Sequence, residues 1–499
     1  MKKTLLTLMA ALAAVAATAQ TMNINNGGVT YAVAAADAGD MTYSGGTTLT
    51  VCGKAFNISD ITSIVIDEST VESNTVKVEY TDAGSNPSAK VIIPISLATS
   101  VEASVSGGHV RVLQQTGAAD GITYTLSGIS SNGSFYMDGN KPATFVLNGV
   151  ILQNPDSCAI CIQDGKALTV RVADGTTNTL SDGITATTND GSDAHKAAIY
   201  INGSSTWEGS GTVTIKGNVK HGLATDAGLT FANGFGTLTI SSAASDGIHA
   251  NEYVKTLGGT LNITASNDGF DVDKKTSSTS SDNGGIVISG GTVTVTTAGN
   301  SNKGMKCEGN FVMSAGTLSV NTSGSSVYEE VAGVGDLSSS ACVKPAGTFT
   351  MSGGKATLTS TGAGGKGLNA TGNIAVSGGT LTVVTTGSTY TYSSSLDSKP
   401  HGIKTDGEVT LSGGSVYVAA SADSGTSIKA NYVYTNGSTM MAVGAKLFTP
   451  SSTSSHSYKK YTGVNVSAGQ TLSYDGVTFT VPSSYSNSSA RIVVSSSSM

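Results

Sequence analysis

Four aspartates of this 499-residue chain are candidates for one site: Asp246, Asp268, Asp271 and Asp273. The run Asp268-Gly-Phe-Asp-Val-Asp places three carboxylates within six residues. Clustered carboxylates repel one another unless something neutralises them. Calcium does so with several oxygen ligands in flexible geometry, and these four are the candidate metal ligands. The run is not an EF-hand, because Lys274 and Lys275 intrude and no twelfth-position Glu follows. The plainer reading is a set of turn-capping aspartates beside lysines.

A second group is basic: Lys303, Lys306, Lys344, Lys366, Lys404 and Lys429, with His249 and His401. Like charges one strand apart are destabilising. A regular row of them suggests a polyanion with regularly spaced charges, and uronic polymers such as polygalacturonate fit. Solvated lysines that prevent edge association are the alternative. Tyr200 lies on the same column as a candidate for sugar stacking, and Tyr390 and Tyr392 sit in an insertion that could overhang it. No paired acid and base of a glycosidase emerges. A polysaccharide lyase using Lys303 or Lys306 beside the aspartates stays open, as does a structural or adhesive surface protein.

The elements that hold these residues are short strands. The segment from about Ser157 to Val433 repeats one unit, as in Lys303-GMKCEGNFVMSAGTLSV and Lys366-GLNATGNIAVSGGTLTV. Aligning the units gives one inward apolar position: Ile160, Ile199, Leu223, Ile248, Phe270, Met305, Val343, Leu368, Ile403 and Ile428, spaced 22 to 39 residues apart. Longer spacings carry insertions such as Lys274–Gly284, Thr322–Ser340 and Gly387–Pro400. A period in the twenties without helical pattern predicts an all-β solenoid, a right-handed parallel β-helix whose rungs stack about 4.8 Å apart. Alternation along a strand puts the residue after the apolar one outside, giving the column Cys161, Tyr200, Ala224, His249, Asp271, Lys306, Lys344, Asn369, Lys404, Lys429. Two positions before it runs a second column, His221, Asp246, Asp268, Lys303, Lys366, His401. Both columns are expected to form charge ladders along one edge.

Bulk features set the surroundings. Charged residues make up 12%, the net charge is −7, and the only arginines are Arg111, Arg171 and Arg491, which disfavours nucleic-acid binding. Residues 1–19 read as a secretory signal, with Lys2 and Lys3 before an apolar run and Ala17-Thr18-Ala19 at the end. An exported protein, periplasmic, cell-surface or extracellular, is expected, without a transmembrane anchor. The expected divisions are a β-rich region at 20–95, the β-helix at 96–435 and a C-terminal β cap at 436–499. Of five cysteines, Cys158 and Cys161 form a CxxC. In an extended strand their thiols point to opposite faces, so buried free thiols are expected.

The chain also resembles a known family. The resemblance rests on Thr123-Tyr-Thr-Leu-Ser-Gly, Phe145-Val-Leu-Asn-Gly-Val, Ala173-Asp-Gly-Thr-Thr-Asn-Thr-Leu-Ser-Asp-Gly183 and the later Gly-Gly-Thr rungs. These look like the bacterial carbohydrate-binding-domain family that includes a clostridial, pectin-binding β-helix protein, over residues 96–435. The resemblance implies a right-handed parallel β-helix, calcium ions and polygalacturonate binding without established catalysis. The family often has Asp before Gly in successive rungs. Here Asp246 and Asp268 keep it, whereas His221, Lys303, Lys366 and His401 depart, which favours direct lysine-to-carboxylate contact in the later rungs.

Overall fold

The apolar column of the repeat is a hydrogen-bonded register. In the computed structural model, Leu223, Ile248, Phe270, Met305, Val343, Leu368, Ile403 and Ile428 pair in that order through parallel strands. All eight are buried. The structure describes residues 20–35, 37–39, 41–82, 86–183, 196–331, 333–497 and 499. The expected signal segment, 1–19, lies outside them. The described residues are almost entirely strand and turn, with one short 3-10 turn at Ile95–Leu97. None of their helices is long and apolar enough to cross a membrane.

The chain divides into two compact units, Met1–Val213 and Thr214–Met499. The first begins with antiparallel pairings of Thr21–Asn26 with Val29–Ala34 and with Ile61–Asp67. It then changes to parallel ladders: Gly108–Gln114, Gly133–Asp138, Ile160–Ile162 and Ala197–Ile201 pair in succession. Ile160 opposes Ile199 there, and Cys161 opposes Tyr200.

The second unit carries three parallel ladders. The first holds His221–Thr225, Ile248–Ala250, Phe270–Val272, Lys303–Cys307, Ala341–Pro345, Lys366–Ala370, Ile403–Thr405 and Ile428–Lys429. The second includes Tyr253–Thr256, Gly285–Ile288, Phe311–Met313 and Phe349–Met351. Its Phe311 and Phe349 rings stack with centroids 5.2 Å apart. The third includes Thr260–Ala265, Thr292–Thr297, Thr317–Thr322 and Lys355–Ser360. Val, Ile and Leu alternate with Thr along it, so each strand buries one face and exposes hydroxyls on the other. The last parallel strand, Thr439–Gly444, is met by the antiparallel strand Asn487–Ser495. Leu472, Phe479, Val481 and Tyr485 pack with Met441 and Val443 in the same cluster. An otherwise open strand edge is covered in this way.

A corner in the first ladder decides which side chains reach the surface. At Gly247 and Ile248 consecutive backbone N–H groups both donate to the next strand, to Asp268 O at 2.9 Å and Gly269 O at 3.0 Å. Gly367 and Leu368 repeat this toward His401 O and Gly402 O. The chain therefore bends at the glycine, and simple alternation fails there. A Cβ on Gly304 would lie 2.1 Å from Val320 Cγ1 in the third ladder, so this position must face inward without a side chain. The residue before the glycine and the residue two after it then share one face.

This corner also corrects the reading of the CxxC. Cys158 precedes the bend and Cys161 follows it, and the two thiols hydrogen-bond rather than diverge; that contact, with burial, pushes the Cys158 thiol well above its usual range. Both side chains are thiols and both are buried, as expected.

Two of the insertions are antiparallel hairpins, Val327–Val331 with Val334–Ser338 and Tyr390–Ser393 with Leu396–Ser398. Tyr328 of the first stacks on Tyr392 of the second at 4.1 Å.

Candidate functional site

The two columns of the second unit lie side by side, and their first rungs build a cluster of imidazoles and carboxylates. His249, Asp271 and Lys306 are register neighbours. His221 Nδ1 is 3.1 Å from Asp246 Oδ2. His249 Nδ1 is 3.9 Å from Asp246 Oδ2 and 3.9 Å from Asp271 Oδ2, and its Nε2 is 4.0 Å from Asp273 Oδ2. The His221 and His249 rings stack at 4.7 Å. Asp246, Asp268 and Asp271 each offer an oxygen, all within 4.8 Å of one another. The four predicted aspartates thus converge, and His249, predicted as a sugar contact, sits among them. His221, absent from the predicted site, joins them as well.

The column before the glycine has a structural duty that alternation did not reveal. Asp246 Oδ1 accepts the Asp268 N–H at 3.0 Å, and Asp268 Oδ1 accepts the Lys303 N–H at 2.6 Å. His401 Nδ1 takes the Thr426 N–H at 3.3 Å, while His221 Nδ1 lies 3.3 Å from the Asp246 N and 3.1 Å from Asp246 Oδ2 and serves the amide or the carboxylate according to its tautomer. Each acceptor caps the equivalent amide of the next rung at the corner, where the backbone ladder is interrupted.

The expectation that this column forms an exposed ladder is corrected. His221, Asp246, Asp268, Lys303, Lys366 and His401 are all buried. In the later rungs the insertions cover it. Lys303 Nζ donates to Ser338 Oγ at 3.1 Å. Lys366 Nζ donates to Ser339 Oγ at 3.1 Å, Ser398 Oγ at 2.7 Å and the Gly364 carbonyl. Serines at the bases of both hairpins thus hold these lysines. Tyr200, in the first unit, is fully buried under the Lys196 ammonium and offers no exposed stacking face. Trp207 is likewise buried.

Burial shapes the charges of the cluster. It pushes the Asp268 carboxyl up to about 6, and the charges of Asp246 and Asp271 add to this. Burial works against Asp246 too, yet its contact with His221 and the Asp268 N–H hold it below the ordinary range. Asp273 is raised by burial and by Asp271. Lys306 Nζ reaches Asp271 Oδ1 at 2.8 Å, which raises the ammonium despite its burial.

The later rungs form a different site. A cleft of about 370 Å³ is lined by Lys344, Lys366, Asn369, Lys399, Lys404 and Lys429, with His401, Asp336, Asp397 and Asp406. Lys404 and Lys429 are direct register neighbours, and Asn369 stands one rung before Lys404. Lys399 pairs with Asp397 at 2.9 Å, and Lys404 approaches Asp406 at 3.8 Å. Lys344 and Lys429 have no ion pair among the described residues. Burial, then Lys404 and Lys429, press the Lys366 ammonium down to about 7. Burial and the neighbouring lysines press His401 to about 3, so its imidazole is neutral. Lys344 is lowered by burial and by Lys306. Cations that depress one another without enough carboxylate partners make a site for an anion.

The family model for carbohydrate-binding domain-containing proteins matches residues 106–364 and 344–446, which includes both sites. The chain belongs to this family. Its fold is also similar to that of a polysaccharide lyase-like protein from C. thermocellum, solved as a gadolinium derivative, with 22% identity, a TM-score of 0.42, and coverage of 56% of this chain and 96% of that one. No curated protein matches the chain. Membership of this family makes a carbohydrate the expected partner of the chain.

Calcium, which the sequence resemblance implies, can be tested against the donors present. Asp246, Asp268 and Asp271 supply hard oxygen ligands at one point, and the buried Asp268 carboxyl has no ion pair of its own among the described residues. The carboxylates fit a hard cation in part, and waters or sugar oxygens would complete the shell.

Proposed function

We propose that this protein binds acidic polysaccharide, of the polygalacturonate type, without cutting it. The cleft of Lys344, Lys404 and Lys429 carries the proposal: it is basic in a chain of net charge −7, and its cations lack sufficient counter-charges. Uronate carboxylates would take the place of those missing partners. Stacked rungs space Lys404 and Lys429 by about 4.8 Å, which suits a polymer with regularly repeated charge.

The finer architecture belongs to the same proposal. Three parallel ladders with corners between their strands support a right-handed parallel β-helix. The signal-like residues 1–19 support export to the periplasm, the cell surface or the medium. The carboxylates of Asp246, Asp268, Asp271 and Asp273 support calcium as an aid to binding, held in the rungs before the cleft.

Affinity electrophoresis in gels containing polygalacturonate, with and without chelator, tests this reading. Retardation of the wild type and its loss in the Lys344→Ala/Lys404→Ala/Lys429→Ala variant are expected. Unchanged migration across a panel of uronic polymers would sink it.

One observation favours a lyase as the second reading. Lys366, at about 7, is closer to a neutral base than an ordinary lysine. Against this, its Nζ is buried and already donates to three acceptors. Lys306 is raised by Asp271 and stays an ammonium. Unsaturated uronate ends, read as new ultraviolet absorbance and lost in Lys366→Ala, would establish the lyase.

A further inference from the structure

We infer that the cluster at the first rungs is a site for a borderline divalent transition metal such as Zn2+ or Co2+, centred on His249 and competing with calcium for shared carboxylates. The observation is a buried nitrogen without a hydrogen bond, set between two carboxylates. His249 Nδ1 is buried and takes no hydrogen bond. It stands 3.9 Å from Asp246 Oδ2 and 3.9 Å from Asp271 Oδ2. That separation is too long for a hydrogen bond. Donors that share one ion through bonds of about 2.1 Å lie roughly 3–4 Å apart, and within 4.8 Å His249 groups with His221 and Asp246 on one side and with Asp271 and Asp273 on the other.

The other oxygen of each carboxylate is already committed. Asp246 Oδ1 accepts from Asn267 Nδ2 at 2.7 Å and from the Asp268 N–H at 3.0 Å. Asp271 Oδ1 holds the Lys306 ammonium at 2.8 Å. Both carboxylates are therefore oriented by outer partners and present one oxygen to the imidazole, the arrangement that tunes metal ligands. His221, 3.1 Å from Asp246 Oδ2 and stacked on His249, and Asp273, 4.0 Å from His249 Nε2, complete the surroundings. Mixed imidazole and carboxylate donors suit borderline transition ions, whereas calcium has no use for nitrogen. Asp268 separates the two occupants: it belongs to the all-oxygen group with Asp246 and Asp271, but not to the groups that contain His249.

The inference shares Asp246 and Asp271 with the calcium reading above but stands on the imidazole. The test uses the tag-free full chain, stripped with chelator and without polysaccharide, so the outcome is independent of polymer binding. Titration calorimetry with ZnCl2 and with CaCl2 is run on wild type, His249→Gln and Asp268→Asn. Zinc should bind the wild type with a stoichiometry of one, at least 10-fold tighter than calcium. His249→Gln should lose at least 10-fold in zinc affinity with calcium unchanged. Asp268→Asn should keep zinc affinity within about 3-fold. Cobalt should give a visible absorption band in the wild type that His249→Gln lacks. Circular dichroism confirms that His249→Gln, altered at a partly exposed side chain, is folded. Absence of zinc binding to the wild type, or equal zinc affinity in folded His249→Gln, overturns the inference.

Discussion

The early rungs around His249 and the later rungs around Lys404 use the same two columns for opposite ends. In the early rungs the column before the glycine is His221, Asp246, Asp268, and the two aspartates each cap the next rung's amide. In the later rungs His401 still caps the Thr426 amide, but Lys303 and Lys366 stand in the same column and cannot accept a hydrogen bond. They reach instead to serines of the inserted hairpins. One backbone therefore yields a carboxylate–imidazole cluster where the column caps itself, and a walled basic cleft where lysines recruit a loop. The difference lies in the donor or acceptor character of one position per rung.

Making the two regions alike is the strongest way to break this comparison. Lys344→Glu/Lys404→Glu should abolish retardation by polygalacturonate while zinc and calcium titrations stay as in the wild type. Loss of both would mean that the regions act as one site.

The next effect is a pair of opposite stability slopes with pH. The Asp268 carboxyl, raised from 3.8 to about 6, keeps its proton longer when folded than when unfolded. Stability in chelated protein should therefore fall as pH rises from about 4 to 6, by up to about 1.4 kcal/mol per unit from this group. Asp268→Asn should flatten that limb and raise Tm above pH 6. Lys366, lowered from 10.5 to about 7, binds its proton more weakly when folded. Its contribution should rise with pH between about 7 and 10, and Lys366→Met should remove that rise. Thermal melts across this range, with the metal removed, read both limbs.

A smaller effect tests the border between the regions. Asp271→Asn releases the Lys306 ammonium, which lies next to Lys344 in the register. Polygalacturonate affinity without metal should then increase about 2- to 3-fold, with a steeper loss on adding salt. The smallest concerns the wall. Tyr392→Ala removes the stack on Tyr328, an interaction of about 0.5–1.5 kcal/mol, and should weaken polymer binding slightly while sparing the metal site.

Much of this was legible in the residues. The spacing of Leu223, Ile248, Phe270 and Met305 gave the register strand by strand, because one apolar side chain per rung must meet its counterpart in a shared core. The convergence of Asp246, Asp268, Asp271 and Asp273 followed from the same alignment. Burial was not legible. Whether Lys366 meets solvent depends on where the insertions fold back, and their Ser/Thr/Gly-rich sequences carry no periodicity that aims them. His221 was missed because its position was read as surface, although a residue that can accept an N–H before Gly-[IL] was its signal. The CxxC was misread because a strand rule was applied across a bend.

The inward glycine of each rung has a consequence for how such a protein can change. At Gly247, Gly269 and Gly304 an added Cβ would lie 2.2, 2.2 and 2.1 Å from a branched side chain of the third ladder. Substitution there disrupts the core. The partly exposed position two residues later, occupied by His249, Asp271 and Lys306, touches no such limit. Heritable variation is thus channelled: the chain can exchange imidazole, carboxylate or ammonium at the outward position, one rung at a time, while the scaffold stays the same. Point mutation at this position can change the charge and donor type of one face while the glycine-packed scaffold is kept.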